Sequence, residues 1–311
     1  MLHQMTSLFN SGFYFPGYNW TSILLAIAIG ISFGAVWLFL YHPPLLKNTW
    51  LWNVAVISAI LTWTSVAFIQ TPLQSWTKQL LVNWWNPRLI STSNFILLSS
   101  IPILLIAGIV QEAAILAPVF FFRQRSKRDF TPQSGLIAGA TAGAGFGIFE
   151  AIWKLNLMLP DIGFLSSLTN KTLHYLAVSG FSYMKYSLLG SIPIMGVFGG
   201  FYSIVFHISS AALMGYGLAK RRGWQYFLLA AFLNGLVNFG AFLWYLPRIT
   251  MIEGIIWVMV PVILVTAVML WLRWHKPKVK PAVSISSALH LTLFRKHLSD
   301  NDKNILESMG G

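Results

Sequence analysis

This chain reads as an all-α, polytopic transmembrane helical bundle of about seven spans, with its N-terminus outside and its C-terminus cytoplasmic. The reading stands on an apolar composition, on the spacing of the long apolar runs, and on where the basic residues fall. Of 311 residues, 56% are hydrophobic and 9% are charged, whereas soluble domains carry about a quarter charged residues. Mean hydropathy is +0.66. Fourteen Trp and ten Tyr suit aromatic belts at two membrane interfaces. The net charge of +13 sits in short loops and the tail, a placement that membrane topology explains without nucleic acid. With no Cys, disulfides and thiolate chemistry are excluded. The first eighteen residues hold neither Lys nor Arg, so a cleaved signal peptide is not expected.

Apolar runs long enough to cross roughly 30 Å of hydrocarbon lie at about 19–41, 50–71, 93–122, 133–157, 188–219, 224–246 and 251–273. The first is followed by a loop with Lys47. The second leads into "PLQSWTKQLLVNWWNPRL" (72–89), an amphipathic, aromatic segment expected to lie flat in the interface. The third is longer than a span needs, and Pro102 and Pro118 are expected to bend or tilt it. After it come Arg123, Arg125, Lys127 and Arg128. The fourth precedes a second interfacial candidate, "FLSSLTNKTLHYLAVSGFSYMKY" (164–186). Lys220, Arg221 and Arg222 follow the fifth span, and the tail after the seventh is basic again, from Arg273 to Lys303. Seven spans put all these clusters on one face, against Lys78, Arg88, Lys171, Lys185 and Arg248 on the other. By the positive-inside rule the clustered face is cytoplasmic. The organisation is therefore a two-span region with an interfacial segment (1–92), a four-span core (93–246), a seventh span (247–274) and a basic cytoplasmic tail (275–311) able to touch anionic lipid.

Five polar side chains lie well inside these spans: Glu112, Glu150, His207, Asn234 and Asn238. A charge near the bilayer centre costs from about 3 to well over 10 kcal/mol. Each acid must therefore be protonated, paired or turned toward a polar cavity. Glu112 lies eleven residues before Arg123, His207 thirteen before Lys220 and Asn234 twelve after Arg222. That places the three roughly 16–20 Å from the cytoplasmic helix ends. Glu150 comes out deeper, about 27 Å from a helix start near Pro132. Its nearest basic residue in sequence is Lys154, and no evident cation adjoins either acid or the imidazole.

Span four carries Gly135, Gly139, Gly143 and Gly147, a stripe that lets another helix approach closely. Glu150 falls angularly between Gly139 and Gly143, so it points into the protein. His207 shares a face with Gly200, Ser203 and Ala211, while Asn234 and Asn238 are one turn apart above Ala231. Taken singly, a Gly stripe is ordinary helix packing and an intramembrane Asn is interhelical glue. Two acids with one imidazole point to function instead. The simplest assembly turns every polar face to one interior site, its side chains within about 8 Å of one another.

"QEAAILAPVFFFR" (111–123), "GAGFGIFEA" (143–151), "FHISSAALMGYGLA" (206–219) and "NGLVN" (234–238) together resemble four ordered motifs of the PrsW-like intramembrane proteases. That family is related to the CAAX prenyl endopeptidase and bacteriocin-processing (ABI/CPBP) superfamily. The resemblance covers roughly residues 95–245. It implies Glu-Glu-x-x-Lys, Gly-Phe-Gly-x-x-Glu, a His before Gly-Tyr-Gly-Leu-Ala, and His-x-x-x-Asn. Glu112, Glu150, His207 and Asn238 match; Gln111, Ile115 and Asn234 replace the first acid, the Lys and the last His.

Peptide hydrolysis needs an activated water and a stabiliser for the developing oxyanion. Glu112 or Glu150 would be the base, His207 would orient water or donate a proton, and Asn234 or Asn238 would donate to the oxyanion. Zinc is the alternative, with Glu112, Glu150 and His207 as its ligands. The metal-free route is preferred, because Asn234 stands where the family has a His and no HExxH helix is present. The resemblance implies an intramembrane endopeptidase in a plasma membrane, acting on membrane proteins or peptides. Two readings stay open beside it: an inactive relative binding such partners, suggested by Gln111, Ile115 and Asn234, and a proton-coupled transporter.

Overall fold

Long apolar runs ended by Pro, Gly or basic residues fold here into helices. The computed structural model describes residues 20–84, 93–125, 130–158 and 194–275. Within them lie α1 (Trp20–Leu40), α2 (Trp50–Ser65), a π-helical turn (Val66–Gln70), α3 (Thr71–Trp84), α4 (Ser93–Arg125), α5 (Pro132–Met158), α6 (Ile194–Ala219), α7 (Gly223–Tyr245) and α8 (Met251–Trp274). No strand occurs among the described residues. Seven helical runs are long and apolar enough to cross a membrane, α2 through α3 forming one of them, Trp50–Trp84. The chain divides into two units, Met1–Arg273 and Trp274–Gly311. Apart from Trp274 and His275, the second unit lies outside the described residues, as does the expected interfacial segment 164–186.

One expectation changes. The segment from residue 72 does not leave the second span as a separate helix: α3 continues α2 through the π turn. Pro72 has no N–H to offer the Phe68 carbonyl and its ring crowds that group. A wider turn just before it relieves the clash, and the Thr71 hydroxyl reaches back five residues to the Val66 carbonyl at 2.9 Å. Buried Gln74 then ties α3 to α4, donating to the Ile103 carbonyl at 2.9 Å. The combined run is about 52 Å long against roughly 30 Å of hydrocarbon. Trp84 at its end is 81% exposed. The third span is one 33-residue helix that contains both Pro102 and Pro118.

At the centre lies α6, buried along nearly all of Gly199–Ala219. It packs antiparallel on α5 at backbone contact. A Cβ added to Gly135, Gly139 or Gly143 would come within 2.0–2.3 Å of the carbonyls of Gly215, Ala211 and His207 respectively. Each step of four along α5 is thus matched by a step of four back along α6. The opposite side of α5 meets α2, where Gly145 lies against the Ala55 carbonyl, and Ile148 fills the space over Gly34 of α1. Helix α4 packs against α7 in the same manner, Gly108 against the Ala231 carbonyl. Large apolar side chains on the outer helices, such as Phe39, Leu264 and Trp271, face away from this core.

Candidate functional site

The register of α5 on α6 sets the first half of the site. Gly200 sits against Ala151, so Glu150 is level with the Gly200 region, seven residues from His207. That is an axial gap of about 10 Å. Helical side chains lean toward their own N-terminus, and in an antiparallel pair these two leans point at each other. The Glu150 carboxylate accepts from His207 Nε2 at 3.0 Å. The greater depth expected for Glu150 is absorbed by this lean. Ser203, one turn before His207, donates its hydroxyl to the same carboxylate oxygen. Lys154, one turn after Glu150, pairs with the other oxygen at 2.9 Å and lies 3.4 Å from Ser203 Oγ. Glu150 therefore does have an adjacent cation, contrary to expectation. Lys154 is only 7% exposed, so its ammonium stays beside Glu150 instead of extending outward.

The same geometry builds the second half. Asn234 of α7 and Glu112 of α4 each lie beyond the Gly108–Ala231 contact and lean back toward it. Asn234 Nδ2 donates to Glu112 Oε1 at 3.0 Å and to Gln111 Oε1 at 3.2 Å. Asn238 holds Asn234 from one turn further on, Nδ2 to Oδ1 at 2.6 Å. Ser210 of α6 shares its hydroxyl between both Glu112 oxygens at 3.2 Å. Gln111 Nε2 donates across to Gln70 Oε1 at 3.1 Å, which brings the π turn into the network.

His207 joins the halves. With Nε2 on Glu150, its Nδ1 faces Glu112 Oε1 at 3.8 Å, too far for a hydrogen bond, and Nδ1 is buried without a hydrogen-bond partner. Fully buried Phe146 lies against the ring, centroids 4.8 Å apart. An imidazole protonated on both nitrogens would, with Lys154, balance the two carboxylates. Glu112 is 0% exposed and His207 3% exposed, so none of these charges meets bulk solvent in this arrangement.

Glu112, Glu150, His207, Asn234 and Asn238 thus belong to one network drawn from α4, α5, α6 and α7. The residues that sequence reasoning passed over are Lys154, Ser210 and Gln70. Lys154 had a visible signal, its spacing of four from Glu150, and Ser210 lies three after His207. Gln70 had none, because its aim depends on the π turn. The zinc alternative does not fit these side chains. The two carboxylates lie on opposite sides of a single imidazole, Glu150 on Nε2 and Glu112 facing Nδ1, whereas one ion can take only one of those nitrogens. Among the described residues, no group of three His, Cys, Asp or Glu is arranged to hold a metal. Comparison of the chain with known protein families, characterised proteins and solved structures returns no match.

Proposed function

We propose that this chain is a multi-pass plasma-membrane protein, N-terminus outside and C-terminus cytoplasmic, that hydrolyses membrane-embedded or membrane-proximal peptides by a metal-free, glutamate-assisted route. The observation that carries the reading is the bridging of Glu150 and Glu112 by one imidazole in a shielded interior. A carboxylate and an imidazole on one water can divide the work of general base and general acid. Glu112, held by neutral donors, takes a proton from water. His207 passes a proton to the departing amine, and the Asn234 and Asn238 amides, which donate to Glu112 and Asn234 in this arrangement, turn to the developing oxyanion. The four short motifs resembling the PrsW-like proteases support the same assignment.

Purified protein in liposomes, offered a single-span peptide, tests this. His207→Ala should lower cleavage about 10²-fold or more, and unchanged cleavage in that variant would remove the proposal. A second reading, a non-catalytic receptor for such peptides, is favoured by one feature. Gln111 and Asn234 satisfy each other and Gln70, as amides in a static scaffold do. Peptide retained at the protein without turnover would select it.

A further inference from the structure

The two carboxylates of the site are held differently. Both Glu150 oxygens are engaged by donors from two helices, one of them the Lys154 ammonium at 2.9 Å. The donors on Glu112 are the hydroxyl of Ser210 and the amide of Asn234. We infer that Lys154 is the positioning residue of the site: through Glu150 it fixes the imidazole of His207 with Nδ1 turned to Glu112. This deepens the hydrolase reading and rests on it for the use made of His207.

The geometry makes the chain of cause short. Lys154 follows Glu150 by one turn on α5, so the helix alone brings the two side chains within reach. Burial of both side chains, 7% and 4% exposed, removes the solvent screening that makes exposed pairs weak. Ser203 adds a donor from α6, so the carboxylate is held from two directions before His207 reaches it. Once Nε2 is committed to Glu150, the ring has no freedom to turn Nδ1 elsewhere. Phe146 closes one side of it. Without the ammonium, Glu150 would be a buried carboxylate short of a charge partner. It would then move toward another donor or become neutral, and either change frees the imidazole.

The other charged or titratable groups near His207 are few. The π turn, α2 and α7 contain no acid, Lys, Arg or His. Helix α4 brings Glu112, its Arg123 and Arg125 lying three turns or more beyond, and α3 has Lys78, two turns beyond Gln70. No second cation within these elements can replace Lys154 on Glu150.

The test reads the imidazole directly. Histidine-labelled protein in liposomes gives ¹⁵N resonances for seven His, and a His207→Gln variant identifies those of His207. Lys154→Met should shift the His207 pair toward the pattern seen in Glu150→Gln, and Lys154→Arg should restore it. His207 resonances unchanged in Lys154→Met would overturn the inference. Should Lys154→Met fail to fold, Lys154→Gln, which keeps a donor without the charge, takes its place. That protein should show the altered His207 pattern, and a wild-type pattern in it would overturn the inference equally. Where the wild type cleaves peptide, Lys154→Met should lower kcat with KM held within about twofold. Failure of the wild type to cleave would end the hydrolase reading and leave the resonances to decide the role of Lys154. Unchanged resonances beside an active wild type would end this inference alone.

Discussion

Glu112 and Glu150 are chemically alike and similarly hidden, yet replacing them should have unlike consequences. In Glu112→Gln the new amide can still accept from Ser210 and Asn234, so stability should change by no more than about 1 kcal/mol. In Glu150→Leu the buried ammonium of Lys154 loses its carboxylate partner, a loss on the order of 3–5 kcal/mol. Thermal unfolding of the two variants in the same detergent checks the contrast, and equal shifts would contradict it. The acids, the imidazole and the amides were legible as residues because lipid makes each of them conspicuous. The inward turn of Lys154 was not, although its spacing from Glu150 is visible, for a physical reason. A lysine near the end of a span normally extends its flexible stem to the interface, and only the packed bundle shows this one turned inward.

Close helix contact is what allows those side chains to meet. Gly143 meets the backbone of His207 itself, its would-be Cβ only 2.0 Å from that carbonyl. Gly143→Ala should force α5 and α6 apart, costing about 1–3 kcal/mol, and should weaken the Glu150–His207 contact with it. Gly199→Ala is the matching control, since a Cβ there meets only the Tyr202 ring at 3.8 Å. Calorimetry of both should show a loss for the first and almost none for the second. The π turn makes its own demand: Gln70→Leu would leave the Gln111 amide without its acceptor, at a cost of about 1–3 kcal/mol. The seven apolar runs could be read from the sequence because length and hydropathy suffice for them. That α3 continues α2 could not, because amphipathic character marks an interfacial helix and the exposed end of a long tilted one equally.

For the molecule as a whole, the arrangement of basic loops argues for a cytoplasmic C-terminus. Because the chain has no Cys, single cysteines report topology cleanly. Lys220→Cys should react with an impermeant maleimide only after the membrane is opened, and Arg248→Cys should react in intact cells. The opposite pattern would invert the orientation. Charge asymmetry is what the proposed orientation rests on, whereas the meeting of four helices around one imidazole depended on backbone register that no single stretch encodes.

The most direct measurement is the initial rate at which the wild type and Glu112→Gln cleave the same membrane-spanning peptide in matched liposomes. Hydrolysis assisted by that carboxylate predicts a fall of at least about 10²-fold with the fold intact. Equal rates in a properly folded variant would show that the buried Glu112–His207–Glu150 unit holds the bundle together and does no chemistry on peptides.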